Sequence, residues 1–472
     1  MPGLSFDSRS VPEQGVFVAI EGASADGHDF LEAALDNGAA VVVVRKAPGV
    51  LREGKTYVQV DDTSWALAMM GRNFYQDPSS RIALIGVTGT NGKTTTATLL
   101  YQVFSAMGYK CGLFSTVENI VGHTRVPARQ TTPDILTLNA MLDRMAREGC
   151  RYCFMEVSSH ALAQQRVTGL DFRGAIFSNL THDHLDYHKT FAAYRDAKKR
   201  LFDTLSPDAF ALVNADDRNG AFMLQNTRAK KYTYSLGSVS DFKARIVEST
   251  FEGMQLDVDG IDTWLPMVGR FNAYNALAIY ASAVLLGCER TDVLRALSRQ
   301  PSVRGRFECR VSPGGVVGIV DYAHTPDALD NVIRTVNQLR TRNETFTVVV
   351  GCGGDRDRTK RPEMAAIAAA GADRVLFTAD NPRSEDPDEI LRQMLAGVPP
   401  EYSSRVLVNP DRRGAIRTAV SMAGKGDIIL VAGKGHETYQ EVKGVRSHFD
   451  DMEELQAAFA LFNRREEHPD RQ

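Results

Sequence analysis

Residues 86–96 read Gly-Val-Thr-Gly-Thr-Asn-Gly-Lys-Thr-Thr-Thr, after an apolar run from Ile82 to Ile85 and before an apolar stretch from Ala97 to Met107. These residue types at this spacing suit the grip of a polyphosphate. Gly86, Gly89 and Gly92 let backbone N–H groups turn inward around an anion, Lys93 supplies a point charge for the β- and γ-phosphates, and the Thr94 hydroxyl at the helix start can hold Mg²⁺. Val87 stands where the first glycine of G-x-x-x-x-G-K-[ST] would fall, so this is a variant phosphate loop, and ATP or GTP is the expected ligand. Glu156 ends an apolar strand in CFMEVSSHAL, where a carboxylate would complete the Mg²⁺ coordination begun by Thr94. The run NLTHDHLDYH packs His182, Asp183, His184, Asp186 and His188 into seven residues without a cysteine. A second Mg²⁺ with one histidine ligand is expected there rather than zinc.

A less conspicuous residue has chemistry of its own. On the helical pattern TFAAYRDAKKRLFDTL, Phe191, Tyr194, Leu201, Phe202 and Leu205 define an apolar stripe, and Lys198 falls inside it by three- and four-residue steps. An uncompensated buried ammonium is costly, so this lysine must pair, snorkel or lose its charge. A neutral amine so placed can react with CO₂ to give a carbamate, which would present a carboxylate to a metal.

Further along, four apolar runs lead directly into polar clusters: VDYAHTP, VGCGGDRDRTKRP, TADNPRSEDP and VAGKGHE. Ligands of open α/β sheets bind outside the carboxyl ends of the strands, so four such loops are expected to converge on one crevice. Arg356, Arg383, Lys434 and His436 among them suit an anionic ligand.

The elements that position these residues follow from length and pattern. At 472 residues the chain exceeds the size at which single cores stop growing, and about three domains are expected. Turn residues Asp77-Pro78-Ser79-Ser80 mark a first break and Gln300-Pro301-Ser302 a second, giving domains 1–80, 81–302 and 303–472. Strands expected at 82–87, 152–157, 174–179 and 210–214 alternate with helical patterns, as do those at 317–320, 347–350, 374–378, 406–408 and 428–431. That alternation argues α/β domains with mostly parallel sheets covered on both faces. The chain is 43% hydrophobic and 24% charged, with 55 basic against 58 acidic residues, which gives no general nucleic-acid or membrane surface. No basic and apolar leader opens it, and apolar runs such as Ala39 to Val44 are far too short to span a bilayer. A cytoplasmic protein is expected. Six scattered cysteines include one C-x-x-C, Cys150 to Cys153, on an expected buried strand, where free thiols are the better reading than a metal or redox pair.

Taken together, GVTGTNGKTTT, MEVSSHAL, NLTHDHLDYH, the Lys198 helix, GRFNAYNALAI, VRGRFE, VDYAHTP, GCGGDRD, DNPRSEDP and AGKGHE resemble the Mur ligase family, in order and over nearly the whole chain. The resemblance is nearest to the members that add the third residue of the peptidoglycan stem peptide. It implies a UDP-sugar domain, a central P-loop ATPase domain and a C-terminal Rossmann-like domain that receives the amino acid. The implied activity is ATP-dependent addition of meso-2,6-diaminopimelate to UDP-N-acetylmuramoyl-L-alanyl-D-glutamate through an acyl phosphate, by a monomeric enzyme. Matched residue by residue, Gly89, Thr90, Asn91, Gly92, Lys93, Thr94 and Thr95 would hold the ATP phosphates. Thr94 and Glu156 would bind one Mg²⁺, and His184 with a carbamylated Lys198 the other. Asn275, Arg306, Asp321 and His324 would hold the nucleotide, while Thr131, Thr132, Ser158, Gln164 and Arg166 would grip the UDP-muramoyl-dipeptide, with Ser8 of FDSRSV near the uridine. Arg356, Asp380, Asn381, Pro382, Arg383, Gly433 and Glu437 match the amino-acid site.

Two stretches depart from the family pattern. Pro12 comes early, Glu13-Gln14 occupy the usual Pro-Gly place, and Gln130 stands where asparagine is common before the two threonines. Folylpolyglutamate synthetase shares the ATPase and C-terminal domains but needs neither an N-terminal UDP-binding unit nor DNPR, and a P-loop regulatory ATPase has no use for the four loops or Lys198. L-Lysine is the alternative amino acid. Meso-diaminopimelate differs from it by a carboxylate on the distal carbon, and Arg383, aimed by Pro382, is the cation expected to meet that group in a two-point contact. Related lysine-adding enzymes do not keep this arginine.

Overall fold

A computed structural model describes residues 3–22, 25–181 and 183–467, apart from a few side chains. His182 and the side chain of Asp186, both named above, lie outside the described residues. The chain divides into two compact units: Met1–Leu180, Thr190–Asp241 and Ala278–Ala296 form one, and Thr181–Lys189, Phe242–Leu277 and Leu297–Gln472 the other.

The first unit begins with a parallel sheet whose strands Leu4–Ser5, Val16–Val18, Val41–Val44 and Thr56–Gln59 lie in chain order. Side chains alternate across a strand, so its two faces are filled separately. Phe17, Val42 and Val44 pack with Leu31, Ala34 and Leu35 of helix Leu31–Asp36, whereas Val16, Val18 and Val43 pack with Ala66, Leu67 and Ala68 of helix Thr63–Phe74. The second sheet of this unit centres on Ala83–Thr88, which runs parallel to Phe172–Phe177 on one side and Tyr152–Glu156 on the other. Phe210–Asn214 and Lys230–Ser235 extend it in parallel beyond the former, and Cys111–Phe114 beyond the latter. Two antiparallel strands, Glu118–Val121 and Thr124–Pro127, close that end. Helices start where side-chain caps allow: Asp134 accepts from Thr137 N–H before Ile135–Arg147, and Thr190 accepts from Ala193 N–H before Phe191–Asp203.

The second unit contains an antiparallel meander, Phe242–Ser249, Met254–Val258 and Ile261–Leu265, whose last turn is Asp259-Gly260. Its main sheet has the order Glu308–Val311, Val317–Asp321, Ile428–Ala432, Phe346–Val350, Arg374–Phe377, Val406–Val408, with only the first strand antiparallel. Inserting the last of the long strands between Val317–Asp321 and Phe346–Val350 makes the topological switch point at which ligands bind in such sheets. Arg412, wholly buried, makes a bidentate pair with buried Asp451 at 2.7 Å and also donates to Ala432 O at 2.9 Å. Helix Asp451–Glu467 is thereby tied to the end of the strand that carries VAGKGHE.

Candidate active site

The phosphate loop leaves Ala83–Thr88 and enters helix Lys93–Ala106. Gly89 has φ +151°, and a Cβ on it would lie 2.0 Å from Ser178 Oγ, so the neighbouring strand's end excludes any side chain there. That neighbour also shapes the loop: Thr90 N–H donates to Asn179 O (2.8 Å), Asn91 N–H to Asn179 Oδ1 (2.9 Å), and Ser178 Oγ to Asn91 O (2.6 Å). Ser178 and Asn179 were not singled out from sequence, although they directly follow the buried strand Phe172–Phe177. Lys93 Nζ donates to Gly89 O (3.0 Å) and Thr90 O (2.8 Å), holding its charge at the loop.

Glu156 is fully buried at the end of Tyr152–Glu156. Its carboxylate accepts from Thr94 Oγ1 (3.0 Å), Thr116 Oγ1 (3.1 Å) and Thr116 N–H (2.7 Å). The residues matched to the dipeptide hang from the same strand end. Thr131 Oγ1 lies 3.1 Å from Thr116 Oγ1, whose proton goes to Glu156, and Thr132 Oγ1 donates to Glu156 O (2.8 Å), while Ser158 caps the next helix through Ala161 N–H. Arg166 bridges Gln130 Oε1 (2.7 Å), Thr132 O (3.0 Å) and Gln164 Oε1 (2.5 Å). Gln130, the departure from the family pattern, thus takes a working place in this network. Ser8 sits in the short turn Ser8–Ser10, where Asn37 Nδ2 donates to its carbonyl (2.8 Å).

Lys198 is 1% exposed, as its place in the apolar stripe requires. Its Nζ donates to Gly89 O at 2.6 Å and lies 4.6 Å from the centre of the Tyr194 ring, whose hydroxyl is 3.0 Å from Thr90 Oγ1. The periodicity therefore led to a buried lysine on the phosphate loop itself.

In the second unit His184 has φ +53°, and its N–H donates to Asp183 Oδ1 (2.8 Å). Asn275 is buried on helix Arg270–Leu285 and donates to Asn272 Oδ1 (3.1 Å). Asp321 ends its strand and accepts from Phe307 N–H at 2.6 Å; burial lifts its carboxyl to about 6 against the pull of Arg306. Burial, helped by the charge of Lys360, drops His324 to about 4. Its Nδ1 lies 2.8 Å from Tyr322 O, which can only accept, so Nδ1 carries the proton and Nε2 presents a lone pair. The Arg306 guanidinium stacks 4.5 Å from the Tyr322 ring, which also meets the rings of His324 and His436.

The loops after Phe346–Val350, Arg374–Phe377 and Ile428–Ala432 do converge. Asn381 donates to Glu437 Oε2 (2.7 Å), Arg383 Nη1 to Gly354 O (2.6 Å), and Gly433, at φ +118°, has room for no Cβ beside Asp380 Oδ2. Two of the four cations expected to serve an anion do not. Lys434 is fully buried and spends its ammonium on Asn381 Oδ1 (3.0 Å) and Glu437 Oε2 (3.2 Å), with Asp380 at 3.8 Å. His436 is driven down to about 3, by burial first and then by Arg306 and Arg304, and is neutral near pH 7. Arg356 and Arg383 remain, both close to Gly353. Arg383 adopts φ +53°, and its N–H pairs with Glu441 O (3.0 Å) beside hairpin Tyr439–Val442 and Val445–His448, so an extra hairpin, unread in the sequence, helps aim it.

Among the described residues no helix is long and apolar enough to cross a membrane. The six cysteines are free thiols, and burial raises Cys150 and Cys153.

A phosphate loop joined to a carboxylate that gathers hydroxyls, together with a switch-point crevice rich in polar loops, defines a nucleotide-dependent group-transfer enzyme. Three family models match the chain: "Mur ligase family, catalytic domain" over residues 2–75, "Mur ligase middle domain" over 87–283 and "Mur ligase, glutamate ligase domain" over 305–435. The chain belongs to the Mur ligase family. It is 53% identical over 449 residues to the UDP-N-acetylmuramoyl-L-alanyl-D-glutamate–2,6-diaminopimelate ligase of Cytophaga hutchinsonii, covering 95% of this chain and 92% of that one. A solved structure of a ligase with the same name aligns at TM-score 0.70 and 34% identity, over 98% of this chain and 95% of the other. A MurF ligase from Thermotoga maritima in complex with ADP shares the fold at TM-score 0.63 and 18% identity, over 98% of each chain. The match to residues 2–75 sets aside the folylpolyglutamate alternative, which has no use for such a unit, and membership of a ligase family sets aside a regulatory ATPase.

Proposed function

We propose that this protein joins meso-2,6-diaminopimelate to UDP-N-acetylmuramoyl-L-alanyl-D-glutamate at the expense of ATP. The observation that carries this reading is the pairing of Arg383 with Gly354 O inside a loop cluster that ends in Glu437, in a chain 53% identical to a ligase of that name. The D-glutamyl γ-carboxylate attacks the γ-phosphorus of ATP, ADP leaves, and an acyl phosphate forms. The free amine of diaminopimelate then attacks the acyl carbon, loses a proton and expels inorganic phosphate.

The residues present fit Mg²⁺: Thr94, Thr116 and Glu156 offer only oxygen atoms, gathered within hydrogen-bond distance of one another. A bound Mg²⁺ would offset charge on the transferring phosphoryl group. Lys93 adds a point charge at the same loop. Lys198 supports the reading of a carbamate through its burial against Gly89. Thr131, Thr132, Gln164 and Arg166 orient the dipeptide. In the second unit Asp321 and the His324 Nε2 lone pair serve the nucleotide, and Glu437 and Asp380 serve the amine of the incoming amino acid.

The test is ADP release by the purified protein with ATP, UDP-N-acetylmuramoyl-dipeptide and meso-diaminopimelate supplied together or singly. Release is expected only with all three, and Lys93→Ala should lower it by orders of magnitude. Full-rate hydrolysis of ATP without the amino acid would contradict the reading.

A further inference from the structure

Arg361 has no place in the chemistry above, yet it is one of the largest wholly buried side chains of the protein. Its Nη1 donates to Glu385 Oε2 (3.0 Å) and Gln393 Oε1 (2.8 Å), and its Nη2 to Glu385 Oε1 (2.8 Å) and Gly353 O (3.2 Å). Glu385 Oε1 in turn accepts from Asp355 N–H at 2.6 Å. The pair thus grips the backbone on both sides of Gly354, by the carbonyl of Gly353 and the N–H of Asp355. Gly354 is where Arg383 is anchored, since its carbonyl accepts from Arg383 Nη1 at 2.6 Å. The second loop is locked to the first by further bonds, since Gly354 N–H donates to Asn381 O (2.9 Å) and Ser384 Oγ to Asp355 Oδ1 (2.6 Å), and it is closed on itself by Glu385 N–H to Pro382 O (3.0 Å).

We infer that buried Arg361 and its partner Glu385 form a positioning pair: it sets where the Arg383 guanidinium stands and thereby decides selection for the amino acid's distal carboxylate. The inference rests on the reading of these loops as the amino-acid site. A two-point guanidinium–carboxylate contact is sensitive to both distance and plane, so a small shift of Gly354 degrades it even though Arg383 itself is intact. The pair's bonds to backbone run to the loop that anchors Arg383, so its effect falls first on the amino acid, while the neighbouring Lys360, which donates to His324 O (2.9 Å), is unchanged in either variant. Consistent with a pair kept ionised, the hydrogen bond from Arg361 first, with help from the charges of Arg361 and Arg358, holds the Glu385 carboxyl down at about 2.

The experiment is steady-state kinetics of Glu385→Gln and Arg361→Lys with meso-diaminopimelate and L-lysine in competition. In Glu385→Gln the KM for meso-diaminopimelate should rise about tenfold and its kcat/KM advantage over lysine fall about tenfold, equivalent to about 1.4 kcal/mol, with the KM for ATP unchanged within about twofold. Arg361→Lys keeps the charge but loses the fork, and should lower the advantage at least about threefold; it decides the matter if Glu385→Gln fails to fold. Asp373→Asn is the control for a merely structural role. Asp373 pairs with Arg340 and accepts from Phe346 N–H where strands Phe346–Val350 and Arg374–Phe377 begin, at the opposite end of the sheet, so its loss should lower Tm and leave the preference intact. An undiminished preference in the folded pair variants, or an equal loss in Asp373→Asn, overturns the inference. Absence of any preference in the wild-type protein overturns the amino-acid reading and the inference with it.

Discussion

Lys198 is where helical periodicity and side-chain chemistry disagree most sharply in this chain. A lysine in the middle of an apolar stripe is a cost that packing alone never asks for. The structure puts its nitrogen 2.6 Å from the Gly89 carbonyl and beside the Tyr194 ring, so the position is held from two sides. A carbamate there should be visible directly. Protein equilibrated with ¹³C-labelled CO₂ is expected to give a carbamate carbon signal that is lost in Lys198→Ala along with ligation; an unchanged spectrum between the two would count against the modification. Other residues were less legible. Lys434 and His436 read as cations for an anionic ligand, but a sequence does not show that Asn381, Glu437 and Asp380 already surround the lysine, or that the imidazole is too buried to charge. Ser178, Asn179 and Thr116 shape the phosphate site through backbone geometry and short hydroxyl contacts, which leave no pattern of spacing to find.

At the scale of elements, the central strands of the two larger sheets were plain because they are continuous apolar runs bounded by turn residues, and the structure places them within a residue or two of expectation. The short strands Cys111–Phe114, wholly buried between two neighbours, and Thr124–Pro127, wholly exposed at the sheet edge, were not, since four residues without alternation in exposure carry no two-residue period. The meander from Phe242 to Leu265 was missed despite its alternation and its Asp259-Gly260 turn.

The loops that follow the strands also carry an acid response. His324 and His436 fall to about 4 and about 3 in the fold from an ordinary 6.5. Below pH 6.5 the unfolded chain therefore takes up protons that the native loops refuse, and stability is lost as pH falls toward 4. Asp321, raised to about 6, works the other way: between pH 6 and about 4 the native state holds a proton that the unfolded state has released, and stability is gained as pH falls. Denaturant unfolding between pH 7 and 4.5 should accordingly show a shallower acid loss in His436→Gln than in the wild type and a steeper one in Asp321→Asn, each by up to about 1.4 kcal/mol per pH unit. Parallel curves for all three would contradict the assigned burial of these groups.

Across the whole molecule, the phosphate loop, Glu156 and the residues assigned to the dipeptide belong to one compact unit, and the arginines assigned to the amino acid belong to the other. Family membership spans both, since the three matched models cover residues from 2 to 435. The choice of amino acid is the claim on which the account depends most. A charge-assisted contact from Arg383 contributes about 1.5–3 kcal/mol and is absent for lysine, which lacks the distal carboxylate. The direct measurement is wild-type kcat/KM for meso-diaminopimelate and for L-lysine at saturating ATP and dipeptide. A preference for meso-diaminopimelate of at least about tenfold is expected; equal values, or a preference for lysine, would contradict the role assigned to Arg383.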